Sequence, residues 1–464
     1  MDHPTIYTNS EKKLIFALML SSILPLIDAS IINVLLISIS KDISASITQM
    51  QWAITSYMLA CSGGILLSSV ISKTQGLKNA WVYAMLIFLS GSVLVGLSLN
   101  MVSLIASRCL QGIGAGVLLP LGQSALAIQF DKQRLKSAMA LIAIPAVFAP
   151  ALGPLLGAIL TESLNWRLAF FINVPLVIIS MIVGTKFFPK TEKISLSVNI
   201  PLFLLFFSSL ILIPLSINNI ISVNGESYCY FVLLLSGILI FIVSIIFNNK
   251  STNHLLNLSQ FKKIEYSASL VMGLLTSFIF YSFLIYFPLI KSIEGGYSTI
   301  YIGILLGLQG IGAWLARRII YYNLKYYNSF LVISISIFVS AFSIIIIQKE
   351  GTFLECIGFI IRGSGLGIAT ISVLAAPFEY SEKEYIHDTS AITRIIQQLG
   401  GVFGGLLAGF LIIYVTHSYI NINSSYQLLF YISIFIGIVS LLMYIVLNNR
   451  AMNIMSSNST EEEK

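Results

Sequence analysis

Asp28 is the one acid in a long apolar run, LIFALMLSSILPLIDASIINVLLISIS. A carboxylate at that depth costs about 2.5–3.5 kcal/mol on insertion scales, and ionisable groups kept there mark ion or substrate pathways. Arg108, Arg362 and Arg394 stand in similarly apolar surroundings. An acid facing a guanidinium can take up and release a proton without any cofactor. Burial penalises the charged carboxylate, and the guanidinium favours it. Asp28 lies about ten residues from the outer end of its run and Arg108 about six from the outer end of its own. At 1.5 Å per residue both sit roughly 9–15 Å below that surface, within reach of each other through long side chains or water. Asp28 and Arg108 are therefore the expected proton-coupling pair. The alternative makes Asp28 a fixed hydrogen-bond partner between helices and Arg108 a clamp on backbone carbonyls.

The other deep polar side chains are Asn33, Gln111, Gln123, Asn173, Gln309, Gln397 and Gln398. They are candidates for a substrate cavity, against the alternative of hydrogen bonds between helices. Arg394 falls near the inner end of its run and is expected to reach the headgroups. Arg362 is expected to serve packing. Other chemistry is thinly represented. The four histidines (His3, His254, His387 and His417) lie in loops or near helix ends, and the four cysteines show no CxxC spacing. Neither a metal site nor any cofactor is expected. No GxxxxGK[ST] loop occurs, so ATP is not the expected energy source.

These residues must be held by membrane helices. The chain of 464 residues is 57% hydrophobic and 10% charged, with a mean hydropathy of +0.91. Fourteen apolar runs can be read, at 13–38, 50–72, 80–98, 102–128, 138–161, 166–187, 195–217, 229–248, 266–290, 299–316, 329–347, 353–377, 391–415 and 426–447. Each is long enough to cross a bilayer. Backbone groups must be satisfied within the segment, so the runs are predicted to be helices. The first is longer than a signal core and lacks a small-x-small cleavage pattern. With both termini placed inside, 19 of the 26 lysines and arginines fall in cytoplasmic segments and four on the other side, as the positive-inside rule requires. The net charge of +7 is spread over loops and is no nucleic-acid footprint.

A repeat organises the runs. SRCLQGIGAG holds Arg108, Gly112, Gly114 and Gly116, and IIRGSGLGIA holds Arg362, Gly363, Gly365 and Gly367, with the arginines 254 residues apart. Ala149, Gly153 and Gly157 match Gly401, Gly405 and Gly409 at an offset of 252. Small residues at i, i+4 and i+8 let a neighbouring backbone come close. The expected fold is all-α and membrane-integral: a six-helix bundle at 13–187, an inserted helix pair at 195–248, a second six-helix bundle at 266–447 and a disordered tail at 449–464. Paired bundles with the substrate site between them are a transporter architecture.

At these motifs the chain resembles the fourteen-helix drug:proton antiporter branch of the major facilitator superfamily. LIDASIINV (26–34), QWAITSYMLA (51–60), SRCLQGIGAGVLLP (107–120), PALGPLLGAIL (150–160) and NWRLAFFINVP (165–175) carry the likeness. It implies proton-coupled export by alternating access, with Gly153, Pro154 and Gly157 giving the fifth helix its directional bias. One departure is ISKTQGLKNA (71–80), where Lys73 replaces an expected acid and leaves the gating role of this loop open.

With a single deep acid, weakly basic monovalent or neutral lipophilic compounds are the expected cargo. One endogenous metabolite, siderophore or lipid is the alternative. A membrane transferase would need clustered histidines or acids near an interface, which the short loops lack, and a channel sits poorly with the repeat. The expected setting is the plasma membrane of a prokaryote. The expected partners are protons, a small substrate and lipid, for a monomer that binds no nucleic acid.

Overall fold

A computed structural model describes residues 7–132, 134–143, 165–194, 199–222, 228–251, 254–294, 299–322, 328–349, 351–416 and 421–462. The regular structure among them is helical. The first group comprises α1 (Asn9–Asp42), α2 (Ile47–Gln75), α3 (Leu77–Gly96), α4 (Met101–Gln129), α5 (134–143 as described), α6 (Leu168–Phe171) and α7 (Asn173–Gly184). Next come α8 (Ile200–Ser222) and α9 (Tyr228–Lys250). The last group is α10 (Ile264–Glu294), α11 (Thr299–Tyr322), α12 (Ser329–Gln348), α13 (Thr352–Tyr380), α14 (Ile386–Thr416) and α15 (Ile422–Glu462). Ten helices among the described residues are long and apolar enough to cross a membrane. The protein is a multi-pass, all-helical membrane protein.

Local chemistry explains the boundaries. Thr8 with Glu11, Ser46 with Gln49 and Asn100 with Ser103 form reciprocal caps on α1, α2 and α4. α2 turns into α3 through one residue, Gly76, whose φ of 78° an L side chain would strain. The run at 166–187 is two helices rather than one, because Pro175 lacks the amide that would continue the ladder through Ile172. α15 continues to Glu462, where a disordered tail was expected; 449–462 contains no glycine or proline to stop it.

α4 packs between α2 and α3, and α13 packs between α11 and α12 in the same manner. Glycines make both approaches possible. A methyl on Gly116 would fall on the Cys61 carbonyl of α2, and one on Gly363 on the Gln309 carbonyl of α11. α8 lies beside α2 and α14, so the inserted hairpin contacts both groups. One apolar cluster there joins Leu66 and Val70, Phe206 and Leu210, and Ile392 and Leu399.

Two outcomes test this packing. Gly116→Ala should destabilise the protein by about 1–3 kcal/mol, since the Cys61 carbonyl cannot yield, as read from thermal unfolding in detergent. At the lysine-poor end, Asp42 accepts from Arg167 Nη1 at 2.6 Å and Trp166 Nε1 at 3.3 Å. The Arg167 guanidinium holds the Asp42 carboxyl below its ordinary value. Its contribution is therefore complete above the usual aspartate value of about 3.9 and is lost as pH falls through the lower folded value. The melting temperature of Asp42→Asn should lack that acid-side decline.

Candidate functional site

Asp28 and Arg108 are paired in the interior, Asp28 1% and Arg108 0% exposed. Arg108 Nη1 donates to Asp28 Oδ2 and, at 2.7 Å, to Gln111 Oε1; its Nε donates to the Ala53 carbonyl at 3.0 Å. The other carboxylate oxygen accepts from Gln111 Nε2 at 2.8 Å and Asn173 Nδ2 at 3.2 Å. Both amides also donate to Ser92 Oγ. The guanidinium lies over the Tyr57 ring, 4.1 Å from its centre, and the Tyr57 hydroxyl donates to the Pro25 carbonyl of α1. Five helices, α1, α2, α3, α4 and α7, thus meet at one carboxylate. Gln111 and Asn173 were expected in a substrate cavity; here they are ligands of Asp28. Arg108 Nη2 has no hydrogen-bond partner among the described residues.

The contacts also correct the register of the repeat. Gly112 and Gly116 face Tyr57 and Cys61 of α2, while Gly114 faces Phe88 of α3. Gly363 and Gly367 face Gln309 and Ala313 of α11, while Gly365 faces Ser340 of α12. The glycines therefore correspond at an offset of 251, and at that offset Arg362 matches Gln111 rather than Arg108. Arg108 matches Phe359, apolar and buried, and α10 carries acids only at its ends, Glu265 and Glu294. Arg362 donates to the Ser340 carbonyl and hydroxyl and to the Ile279 carbonyl at 3.3–3.4 Å, and lies 3.8 Å from the centre of the Phe283 ring. The acid–guanidinium pair exists in one half only, and the Arg362 contacts are those of a packing residue.

A second polar region lies between the groups. Cys61 of α2, Tyr281 of α10 and Arg394 of α14 are within electrostatic range of one another deep in the bundle. Each nevertheless keeps accessible surface, 39% for Tyr281. These accessible side chains adjoin where α2 of one group meets the paired α10 and α14 of the other. Arg394 does not reach for headgroups as expected; its Nη1 donates to Gln397 Oε1 at 3.4 Å and its Nε has no partner among the described residues. Gln398 Nε2 bridges to Ser62 Oγ at 2.6 Å.

The lysine-rich end is sealed between the groups. Asp388 of α14 accepts from Ser69 Oγ at 2.5 Å and Lys73 Nζ at 2.6 Å, both on α2. Ser124 and Ser390 hydroxyls meet at 2.7 Å, and Lys136 pairs with Glu379 at 3.2 Å. Ala140, Ala143, Ile371 and Leu374 close an apolar seam across α5 and α13. Lys73, which stands where an acid was expected, joins α2 to α14 by pairing with Asp388.

Gln123 and Gln309 are buried with, respectively, both amide atoms and the carbonyl oxygen unpartnered among the described residues. The Asn33 side chain, Gly153, Pro154 and Gly157 lie outside the described residues. Ser92, Ser69, Asp388, Tyr281 and Cys61 escaped the sequence reading. Asp388 alone carried a signal, as an acid at a helix start on the basic side.

Relatives agree with this geometry. The chain is 28% identical over 249 residues to riboflavin transporter RibZ of Clostridioides difficile (strain 630), covering 53% of each chain. It is 25% identical over 329 residues to multidrug resistance protein 3 of Bacillus subtilis (strain 168), covering 69% of this chain and 62% of that one. These matches span about half to two thirds of the length of those relatives. The fold is that of the proton:xylose symporter XylE, with a TM-score of 0.65 at 12% identity over 93% of this chain and 94% of that one. The sequence profile described as Major Facilitator Superfamily matches residues 18–405. The chain belongs to the major facilitator superfamily.

Proposed function

We propose that this transporter exports lipophilic compounds against entering protons, by alternating access across fourteen membrane helices with both termini in the cytoplasm. The observation that carries this reading is the buried Asp28, held by a guanidinium and two amides where five helices meet. A proton arriving from outside neutralises the carboxylate and removes the ionic bond between α1 and α4. Arg108 keeps the Ala53 carbonyl, Gln111 and the Tyr57 ring, so α4 stays anchored to α2 while α1 is released. Loss of the proton restores the pair. Each proton entering gains about 2.3 kcal/mol per 100 mV of membrane potential.

The sealed lysine-rich end makes the present arrangement outward-facing. The apolar clusters toward the opposite end each stay within one group of helices, among the described residues. Substrate leaves from this state as Asp28 is protonated, and the cytoplasmic latch parts for the next loading. The similarity to a multidrug resistance protein supports lipophilic cargo. A second reading, one endogenous metabolite, draws on the similarity to a riboflavin transporter.

In proteoliposomes, adding a transported dye should release protons in the wild type and not in Asp28→Asn, with dye binding preserved. Coupling that survives in Asp28→Asn would remove this residue as the carrier. Asp28→Ala should cost about 3–5 kcal/mol of stability, because it strands the buried Arg108 charge. For the latch, spin labels at Asp131 and Glu384 should report a shift toward the cytoplasm-open distance in Lys73→Ala. Loss of one partner is worth about 3 kcal/mol, near a hundredfold in the equilibrium. Lys73→Asp combined with Asp388→Lys should return the closed distance; a distribution indifferent to all three changes would exclude the latch.

A further inference from the structure

Three buried arginines differ in what neutralises them. Arg108 has Asp28, and Arg362 is spent on two carbonyls, a hydroxyl and a ring. Arg394 forms no ion pair among the described residues; one long bond to Gln397 and an unpartnered Nε are its contacts. The acid of its own helix is unavailable, because both Asp388 oxygens are taken by Ser69 and Lys73. A charge set this deep without a counter-charge is costly. Unlike the other two, Arg394 keeps accessible surface, toward the space it shares with Cys61 and Tyr281. It sits six residues along α14 from Asp388, about 9 Å from the Lys73–Asp388 pair.

We infer that this space binds an organic anion, a carboxylate or comparable monoanion on a lipophilic body, whose charge is met by the Arg394 guanidinium. The planar fork matches two carboxylate oxygens. The Tyr281 ring and the Cys61 side chain offer apolar surface for the body of the ligand, and the amides of Gln397 and Gln398 flank the charge. This reverses the expectation of weakly basic or neutral cargo drawn from a single deep acid. It rests on the exporter reading for the direction of transport alone. An anion leaving as one proton enters moves two charges the same way, so an inside-negative potential accelerates export of the anion; exchange of a monovalent cation for a proton moves none.

Binding to the protein in nanodiscs, without a gradient, tests the site. The probes are oleate, 4-(1-naphthyl)butyrate, and the alcohol and trimethylammonium analogues of the latter. The wild type should prefer the carboxylates. Arg394→Gln should weaken them by about tenfold or more, Arg394→Lys should weaken them less than Arg394→Gln because it keeps the charge but loses the two-pronged fork, and the trimethylammonium compound should lose nothing in either. Gln397→Glu leaves Arg394 in place but supplies an internal counter-ion, and should weaken the carboxylates as Arg394→Gln does. Failure of the wild type to bind either carboxylate, a preference for the cation, or carboxylate binding undiminished in both Arg394→Gln and Gln397→Glu overturns the proposal. Because binding is read without a gradient, carboxylate binding in the wild type that comes without substrate-induced proton release in proteoliposomes would leave this site standing while the exporter reading fails, and proton release without carboxylate binding would do the reverse.

Discussion

Charge placed in a medium that cannot solvate it must be met by something, and that constraint organises this transporter. Asp28 is met by Arg108, Gln111 and Asn173, which draws α1, α4 and α7 onto one point while Ser92 brings α3. Arg362 is met by carbonyls and an aromatic face, which ties α13 to α10 and α12 without any acid. Breaking a buried pair by removing one partner costs several kcal/mol. In the proposed mechanism a proton on the acid does the same thing reversibly, which makes this carboxylate a switch for how helices are held.

Such a switch needs helices close enough to feel it, and glycine provides the proximity. Gly112, Gly114 and Gly116 alternate between two neighbours, so α4 is seated against α2 on one side and α3 on the other. The second half repeats the arrangement through Gly363, Gly365 and Gly367. The repeated feature is the backbone approach; the chemistry is not repeated. Where one half carries Arg108, the other carries Phe359, and the membrane-embedded part of α10 holds no acid to match Asp28, while both halves keep the same mechanical frame.

The two bundles are joined at the lysine-rich end by contacts of modest individual strength. Asp388 holds Ser69 and Lys73, two serine hydroxyls meet, and a short apolar seam closes beside them. α8 lies against α2 and α14, the helices of the Lys73–Asp388 pair, and shares an apolar cluster with them.

Much of this was legible in the chain. Hydropathy located the membrane helices, because lipid leaves a backbone no alternative to internal hydrogen bonds. Depth alone singled out Asp28 and Arg108, because an apolar run tolerates a charge only where something answers it. The partners of those charges were not legible. Gln111 and Asn173 look like any polar residue in a membrane helix, and Ser92 like any serine; their convergence on Asp28 depends on how five helices are rotated. The repeat register was misjudged by aligning arginines, since only the packing shows which neighbour each glycine meets. Lys73 looked like a lost acid until Asp388, 315 residues away, was brought beside it. Residue type and depth are properties of a segment and can be read from it. Pairing across segments is a property of the assembled bundle, and the tertiary structure alone decides it.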